Sequence, residues 1–344
     1  MKSKKIPIGI MGATGIVGQR LIDMLSDHPD FEITALSASE KSSGKKYLDS
    51  APWKLNTDIP ENIGELVLKD NLTKDDCDIV LSSLPSEFAG QRESDLVVAG
   101  MKVITNSSPH RMDSDVPLVI PEINPDHMEL AKNRKGFIIA NPNCSAIILT
   151  LALAPLFYEF GLKNVMVSTY QAISGAGYPG VSSMDITDNI IPHIPGEEEK
   201  LEGEPLKILG KLNGNKIDYA DIKISSQCIR VNVIEGHFMT VSVKLEKNTS
   251  EKDVIEAFNN FSRLPNGLKL HTLPDKPLIY LKDKLRPQPR LDRDRGRGMT
   301  VSIGRLRKCP VMDYKFTVLG HNTIRGAAGA AVANAELCLE LGLL

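Results

Sequence analysis

The chemistry of this chain starts at Asn141-Pro142-Asn143-Cys144-Ser145, which leads directly into the apolar stretch Ala146 to Leu153. The proline punctuates the chain, and the stretch behind it is long enough for a buried helix. Cys144 then lies at the helix N-terminus, where the macrodipole favours a thiolate and unbonded N–H groups suit a developing oxyanion. Such a thiolate attacks acyl carbons and needs an acid–base partner. Of the seven histidines, His237 is best placed, because Glu235-Gly236 before it reads as a two-residue turn between strands. On that hairpin, residues 230, 232, 234 and 237 share one face, so Arg230 and His237 point the same way. The blander alternatives are a buried structural cysteine and a strand-edge histidine. Cys77, Cys309 and Cys338 take the structural reading for want of reactive context. His28, His127, His193 and His271 read as surface or capping residues.

A second chemical signal is Gly12-Ala13-Thr14-Gly15-Ile16-Val17-Gly18. It sits between an apolar run, residues 6–11, and a helical pattern carried by Val17, Leu21, Met24 and Leu25. Glycines permit a tight turn and close approach of phosphate to backbone N–H groups, and the helix dipole adds attraction for the anion. The spacing is GxxGxxG, a variant of the dinucleotide fingerprint; the alternative is a turn that only serves helix–sheet packing. Cofactor choice is read after the second strand, where Ser37-Ala38-Ser39-Glu40-Lys41-Ser42 offers hydroxyls first and then cationic Lys41, Lys45 and Lys46. That suits the 2′-phosphate of NADP, while Glu40 keeps NAD open.

The elements that must carry these groups change character along the chain. Residues 31–36, 78–84 and 102–105 read as short strands alternating with helices, including one at 93–99. This implies a Rossmann-like, doubly wound parallel sheet. After about residue 143 longer strands appear, at 164–171, 222–234, 299–306 and 314–319. In one more, Met239, Val241, Val243 and Leu245 share a face. That pattern indicates a mixed sheet in an α+β domain. The Ala-rich end with Gly326 and Gly329 reads as a closely packed helix. An α/β fold of two domains follows, residues 1–143 with 322–344 and residues 144–321.

Composition bounds the function. The chain has 344 residues, 42% apolar and 24% charged, with a formal net charge of −2. No basic stripe argues for nucleic acid or an anionic membrane. The basic start is followed by glycine-broken apolar residues, and no run supplies the ~18 uncharged apolar residues of a membrane span. Five cysteines are scattered without CxxC pairing, which fits a reducing cytosol and argues against a disulfide framework or a zinc site. No histidine shows metal-ligand spacing.

Taken in order, the turn GATGIVG, the Pro-Asn-Cys triplet, Ser174-Gly175-Ala176-Gly177, Arg230 seven residues before His237, and His321-Asn322-Thr323-Ile324-Arg325-Gly326-Ala327-Ala328-Gly329 resemble the aspartate-semialdehyde dehydrogenases, especially the archaeal and fungal branch. The resemblance spans nearly the whole chain. It implies NADPH-dependent conversion of L-aspartyl 4-phosphate to L-aspartate 4-semialdehyde through a cysteine thioester, a step feeding lysine, threonine and methionine synthesis. It further implies that Cys144 is the nucleophile and His237 the acid–base, with Gln171 orienting the acyl group and Asn143 supporting the cysteine. Arg230 would hold the α-carboxylate, Arg111 and Lys207 the phosphate, and Glu204 the ammonium. Ser174, Gly175, Gly177 and Asn322 would lie near the nicotinamide and Ser83 near the adenosine half. The assembly expected is a homodimer or homotetramer through the second domain. The segment Arg286-Pro287-Gln288-Pro289-Arg290-Leu291-Asp292-Arg293 also matches, as an ordered interface or active-site-rim loop.

Rivals remain at this level. Malonyl-CoA reductase is similar and would keep Cys144 while binding CoA. N-acetylglutamyl-phosphate reductases typically carry Pro-Gly-Cys, and glyceraldehyde-phosphate dehydrogenases fit the flanking motifs poorly. A nucleotide sensor without turnover would have no use for Cys144, His237, Arg230 and Arg111 together.

Overall fold

The N-terminal apolar run forms β1 (Ile6–Met11), whose last four residues are all buried, as a strand covered on both faces requires. The computed structural model describes residues 4–265 and 267–344. Around β1 it builds a sheet from β2 (Phe31–Ser37), β3 (Ile79–Ser82), β4 (Lys102–Thr105) and β5 (Phe137–Ala140). The order is β2-β1-β3-β4-β5 and every pairing is parallel. The strand order reverses at β1, which makes its C-terminal end the natural binding crevice. The glycine turn sits there and leads into α1 (Ile16–Leu25), whose buried Gly18, Leu21, Ile22 and Leu25 keep helical spacing. Single helical turns α2 (Tyr47–Ser50) and α3 (Glu61–Gly64) precede α4 (Ser86–Val98), which is longer than the 93–99 segment expected.

This first unit comprises the chain up to Val119, His127–Asn141 and Ala327–Leu344, and the second comprises Ile120–Asp126 and Pro142–Gly326. The chain therefore returns to the first unit at Ala327, five residues after the 322 expected. Ile120–Asp126 also crosses over, which no local signal announced.

The second unit begins with α5 (Cys144–Phe160), buried continuously from Ser145 to Leu156. A helix enclosed on all sides has no polar face, so its sequence reads as an unbroken apolar run. Next come β6 (Leu162–Gln171), α6 (Ser183–Ile186), β7 (Ile190–Ile191) and α7 (Glu197–Ile208). A small hairpin of β8 (Lys211–Asn213) and β9 (Lys216–Asp218) precedes β10 (Lys223–Val231) and β11 (His237–Leu245). α8 (Glu251–Asn260) starts at a capping box of Ser250 and Asp253. It is followed by β12 (Leu278–Leu281), α9 (Pro289–Asp292), β13 (Val301–Lys308) and β14 (Tyr314–Gly320). A π-helical turn, Ile324–Ala328, runs into α10 (Gly329–Glu340).

The large sheet has the order β12-β13-β14-β11-β6-β10-β7. β11 buries Met239, Val241, Val243 and Leu245 on one face, as the alternation predicts. The expected hairpin at Glu235-Gly236 does not form. β10 pairs in parallel with β6, and β11 pairs antiparallel with the other edge of β6, so one whole strand separates them. Residues 232–236 cross the end of β6 instead of turning back on β10. A strand end and a compatible turn dipeptide cannot exclude a third strand from the gap, because strand pairing is non-local.

Candidate active site

The Cys144 thiol stands on the first residue of α5, and the N-cap before it is Asn143. Asn143 Oδ1 accepts from the backbone N–H groups of Ser145 (2.9 Å) and Ala146 (3.2 Å). Two of the amides that the sequence offered to an oxyanion are therefore occupied by the cap. The asparagine is held in turn: its N–H donates to Glu204 Oε2 at 2.6 Å, and its Nδ2 donates to both oxygens of Glu197 at 2.9 and 3.0 Å. Gly326 lies against Cys144 itself. A Cβ there would come within 2.6 Å of Cys144 Cβ, so any larger side chain must displace the nucleophile.

His237 Nε2 lies 3.3 Å from Cys144 Sγ. The ring's other nitrogen, Nδ1, faces the backbone N–H of Ala172 at 3.1 Å. An amide N–H only donates, so Nδ1 accepts and the proton of the neutral ring sits on Nε2, directed at sulfur. The ring is fully buried, and burial first, then Arg230 and His321, push its pKa from 6.5 down to about 3. The imidazole is thus a neutral Nε2–H donor across the working pH range. In the unfolded chain the same ring takes up a proton near its ordinary value. Stability is therefore lost as pH falls through the window between 6.5 and about 3. From pH 7 to pH 5 this ring contributes a loss of about 2 kcal/mol. Urea unfolding at both pH values should show that loss shrinking by about this amount in His237→Gln; an equal loss in both proteins would mean that the ring is not held neutral.

Arg230 comes from the end of β10 and donates from Nη1 to the Ala172 carbonyl at 2.7 Å. Burial draws its guanidinium below the ordinary range, while Cys144, Glu197 and Cys228 favour its charge. Between Arg230 and His237 lies Gly175. A Cβ at this position would sit 2.7 Å from Arg230 Nη1 and 3.0 Å from His237 Cε1. The two residues that the hairpin was meant to align are thus neighbours after all, brought together from strands on either side of β6. Glu204 and Lys207 lie on α7 and both are buried. Gln171 ends β6 and is also buried. Its Nε2 donates to Glu197 Oε2 (3.2 Å) and Thr169 Oγ1 (3.3 Å).

Glu197 is the residue that the sequence reading missed. Its carboxylate grips both Asn143 and Gln171, and Lys200 Nζ approaches it at 3.1 Å. It sits in the run Glu197-Glu198-Glu199, where nothing distinguishes one acid from another except that Glu197 and Glu204 are seven apart and so share a helical face.

The turn before His237 is braced. Gly236 N–H donates to Asn322 Oδ1 at 2.8 Å, and Asn322 Nδ2 donates to Ser174 Oγ at 2.8 Å. Arg293 Nη1 donates to the Glu235 carbonyl at 3.1 Å. The segment 286–293 is an ordered loop. Burial alone would raise the pKa of Asp292, but Arg286, the Gln288 N–H and Arg295 hold it down at about 2. Gly177 closes the Ile173–Ala176 turn after Ser174, with φ 73° and open space where a Cβ would stand.

In the first unit, a cavity of about 630 Å3 opens at the end of β1. Its walls include Gly12, Thr14, Gly15, Ser39, Lys41 and Ser83. Gly12 has φ 74°, and a Cβ on it would meet the Ser83 carbonyl at 2.7 Å. At Gly18 a Cβ would meet the Gly12 carbonyl at 2.4 Å. No side chain caps α1 at Gly15, and no acidic residue lies in its first turn, where Ile16 and Val17 present their backbone to an anion. These are the features that a pyrophosphate needs. Ser37 does not reach the cavity: it is buried, and its carbonyl accepts from the Gly12 and Ala13 N–H groups, so it shapes the turn and cannot touch a ligand with its hydroxyl. Ser42 shapes the neighbouring turn through its N–H to the Ser39 carbonyl. Phe88 and Arg92, one helical turn apart on α4, also line the cavity and went unnoticed in the sequence. Arg111 is buried in this unit, with Nη2 donating to the Asn106 carbonyl at 2.6 Å. His28 and His127 are buried as well, not surface or capping residues; His28 Nε2 meets Glu336 Oε1 at 2.8 Å. The polarity of one residue does not report its burial when a partner elsewhere in the chain satisfies it.

Among the described residues no helix is long and apolar enough to cross a membrane. Residues 7–131 match the family model described as semialdehyde dehydrogenase, NAD binding domain, and residues 153–325 match semialdehyde dehydrogenase, dimerisation domain. The chain is 48% identical over 340 residues to an aspartate-semialdehyde dehydrogenase of Archaeoglobus fulgidus, covering 97% of this chain and 98% of the relative. A counterpart from Methanothermobacter thermautotrophicus is 45% identical over 346 residues, covering 98% and 99%. The crystal structure of the Candida albicans enzyme with NADP superposes with a TM-score of 0.92 at 40% identity, covering 99% of this chain and all of that one.

Proposed function

The chain belongs to the aspartate-semialdehyde dehydrogenase family, and on that premise we propose how its own residues carry the family's reaction. The reaction is the NADPH-dependent reductive dephosphorylation of L-aspartyl 4-phosphate to L-aspartate 4-semialdehyde, which feeds lysine, threonine and methionine synthesis. NADP is the cofactor. Its nicotinamide supplies the hydride when bound.

One observation carries the assignment of roles: Cys144 Sγ lies at a helix N-terminus, 3.3 Å from an imidazole Nε2 that holds the proton. The thiolate, accepting from Nε2–H, attacks the acyl carbon and phosphate departs, leaving a thioester on Cys144. His237 keeps its proton and donates an Nε2–H hydrogen bond to the carbonyl oxygen as that carbon is reduced. The oxyanion re-forms the carbonyl when the carbon–sulfur bond breaks, thiolate departs and the aldehyde leaves. Arg230 holds the α-carboxylate, for which a planar fork is suited, and Glu204 faces the ammonium. Lys207 and Arg111 hold phosphate oxygens. Asn143 acts through the helix it caps, since every polar atom of its side chain is committed within the protein. Gly12, Thr14, Gly15, Ile16 and Val17 cradle the pyrophosphate, with Ser39 and Lys41 at the 2′-phosphate and Ser83 at the adenosine half. Ser174, Gly175, Gly177 and Asn322 face the nicotinamide.

A dimerisation domain forms the second half of the chain, and a homodimer through it is the proposed assembly. A reducing cytoplasm is proposed on the strength of five unpaired cysteines. The test of function is NADPH formation from aspartate semialdehyde plus phosphate, run beside NADPH-dependent malonyl-CoA reduction. Turnover confined to the semialdehyde is expected, and turnover confined to the CoA ester would overturn the substrate.

A further inference from the structure

We infer that Glu197 is a positioning residue that sets which way the carboxamides of Asn143 and Gln171 face, and so holds the nucleophile helix capped and leaves Gln171 only its oxygen to offer a ligand. A carboxylate only accepts hydrogen bonds, so each amide that meets it must present nitrogen. Asn143 Nδ2 meets both Glu197 oxygens, at 2.9 and 3.0 Å. Its oxygen is thereby turned onto the Ser145 and Ala146 N–H groups at 2.9 and 3.2 Å. A flipped Asn143 would aim NH2 at N–H donors and oxygen at a carboxylate, which is repulsive at both ends.

The same carboxylate fixes Gln171. The two hydrogens on Nε2 go to Glu197 Oε2 at 3.2 Å and Thr169 Oγ1 at 3.3 Å. What Gln171 can still offer is Oε1, an acceptor. In its orienting role it therefore acts as an acceptor and not as a donor to an acyl oxygen. An acceptor at this place complements a donor on the substrate, and the ammonium of an aspartyl substrate is one. Glu197 is buried itself, on the first residue of α7, where the helix dipole favours a carboxylate. Its remaining partner is Lys200 at 3.1 Å.

Orientation and charge can be separated by two variants. Glu197→Leu removes both the acceptors and the charge. Glu197→Gln removes the charge but keeps one acceptor oxygen for the two amides. Turnover should follow the acceptor: kcat lower by about 100-fold in the leucine variant and within about 10-fold of wild type in the glutamine variant. Cys144 alkylation by iodoacetamide should instead follow the charge. The charged and titratable groups around the thiol are His237 from β11, Arg230 from β10, and Glu197 and Glu204 from α7, which hold the neighbouring Asn143, with His321 beyond His237. Removing one anion from this set and leaving Lys200 unpaired makes the thiolate easier to form. The pH midpoint of alkylation should move down by about 0.5 unit or more in both variants.

A residue that only stabilised the fold would not speed alkylation while slowing turnover. Equal loss of kcat in both variants, or an unmoved midpoint, overturns the inference. If the leucine variant does not fold, the glutamine midpoint and kcat decide alone. The inference rests on Cys144 being the nucleophile. The alkylation readout needs no substrate, so wild-type protein that failed to turn over the semialdehyde would sink the proposed function and still leave Glu197 measurable.

Discussion

Cys144→Ser should lower kcat by about 10^4-fold or more while NADP binds as it does to the wild type. The size of the effect follows from the tautomer of His237. Serine hydroxyls attack when a base removes their proton, as in Ser–His hydrolases. Here Nδ1 accepts from the Ala172 N–H, so Nε2 already carries a proton and has no lone pair with which to take one from a hydroxyl, and a second proton would have to go on Nδ1 and charge the ring. Burial and the neighbouring Arg230 oppose that charge, which is why the ring's pKa falls to about 3. The site is arranged for a group that ionises by itself at the start of a helix, and a serine cannot. Cofactor binding should survive, because the glycine turn and its cavity belong entirely to the first unit and Cys144 to the second. Two measurements decide: steady-state turnover with a 2′,5′-ADP titration beside it, and intact-protein mass after mixing with NADP and aspartate semialdehyde without phosphate. The wild type should gain an acyl group that maps to Cys144, and the serine variant should gain none. Residual activity above about 1% of wild type, with no acyl adduct on the wild type, would end the covalent mechanism.

What could be read from the sequence was whatever local chemistry dictates. The turn from Gly12 to Gly18 declares itself because only glycine tolerates φ 74° at Gly12 and the 2.4 Å approach that a Gly18 Cβ would make. Cys144 was legible because Pro142 and an unbroken apolar stretch fix where a helix begins. The alternation in β11 placed Met239, Val241 and Val243 in the core for the same reason. The failures share another cause. Whether Glu235-Gly236 closes a hairpin depends on β6, contributed by residues 162–171, and no dipeptide can report that. Glu197 was hidden because its role exists only when Asn143 and Gln171, 54 and 26 residues away, arrive at the same place. The hydroxyl of Ser37 was misplaced because a strand's last residue faces either the crevice or the core, and one-residue register decides. Arg230 and His237 came out as neighbours although the argument that joined them was wrong. The Gly175 turn lies against both, and it was matched as a motif without its position being understood.

Arg230→Lys should reduce kcat/KM for aspartate semialdehyde by about 10^3-fold, roughly 4 kcal/mol, although the charge is retained. One guanidinium nitrogen, Nη1, is committed to the Ala172 carbonyl at 2.7 Å. The planar fork has donors left over after that bond, and these are what a carboxylate can engage at two points. A lysine has a single nitrogen. It must either give up the Ala172 carbonyl, which then keeps only the Gly175 N–H, or leave the substrate carboxylate with no fixed partner. Charge does not substitute for geometry, and the thiol provides the control. Cys144 favours the charge on Arg230, so the thiolate gains from Arg230 in return. Lysine should preserve most of that, leaving the pH midpoint of Cys144 alkylation near the wild-type value, whereas Arg230→Met should raise it. The loss in the lysine variant should therefore appear in substrate use alone, with alkylation and NADP affinity close to wild type. An unchanged apparent affinity for the semialdehyde in Arg230→Lys would dismiss Arg230 as the carboxylate holder. A midpoint raised equally by lysine and methionine would show that position 230 acts on the nucleophile and not on the substrate.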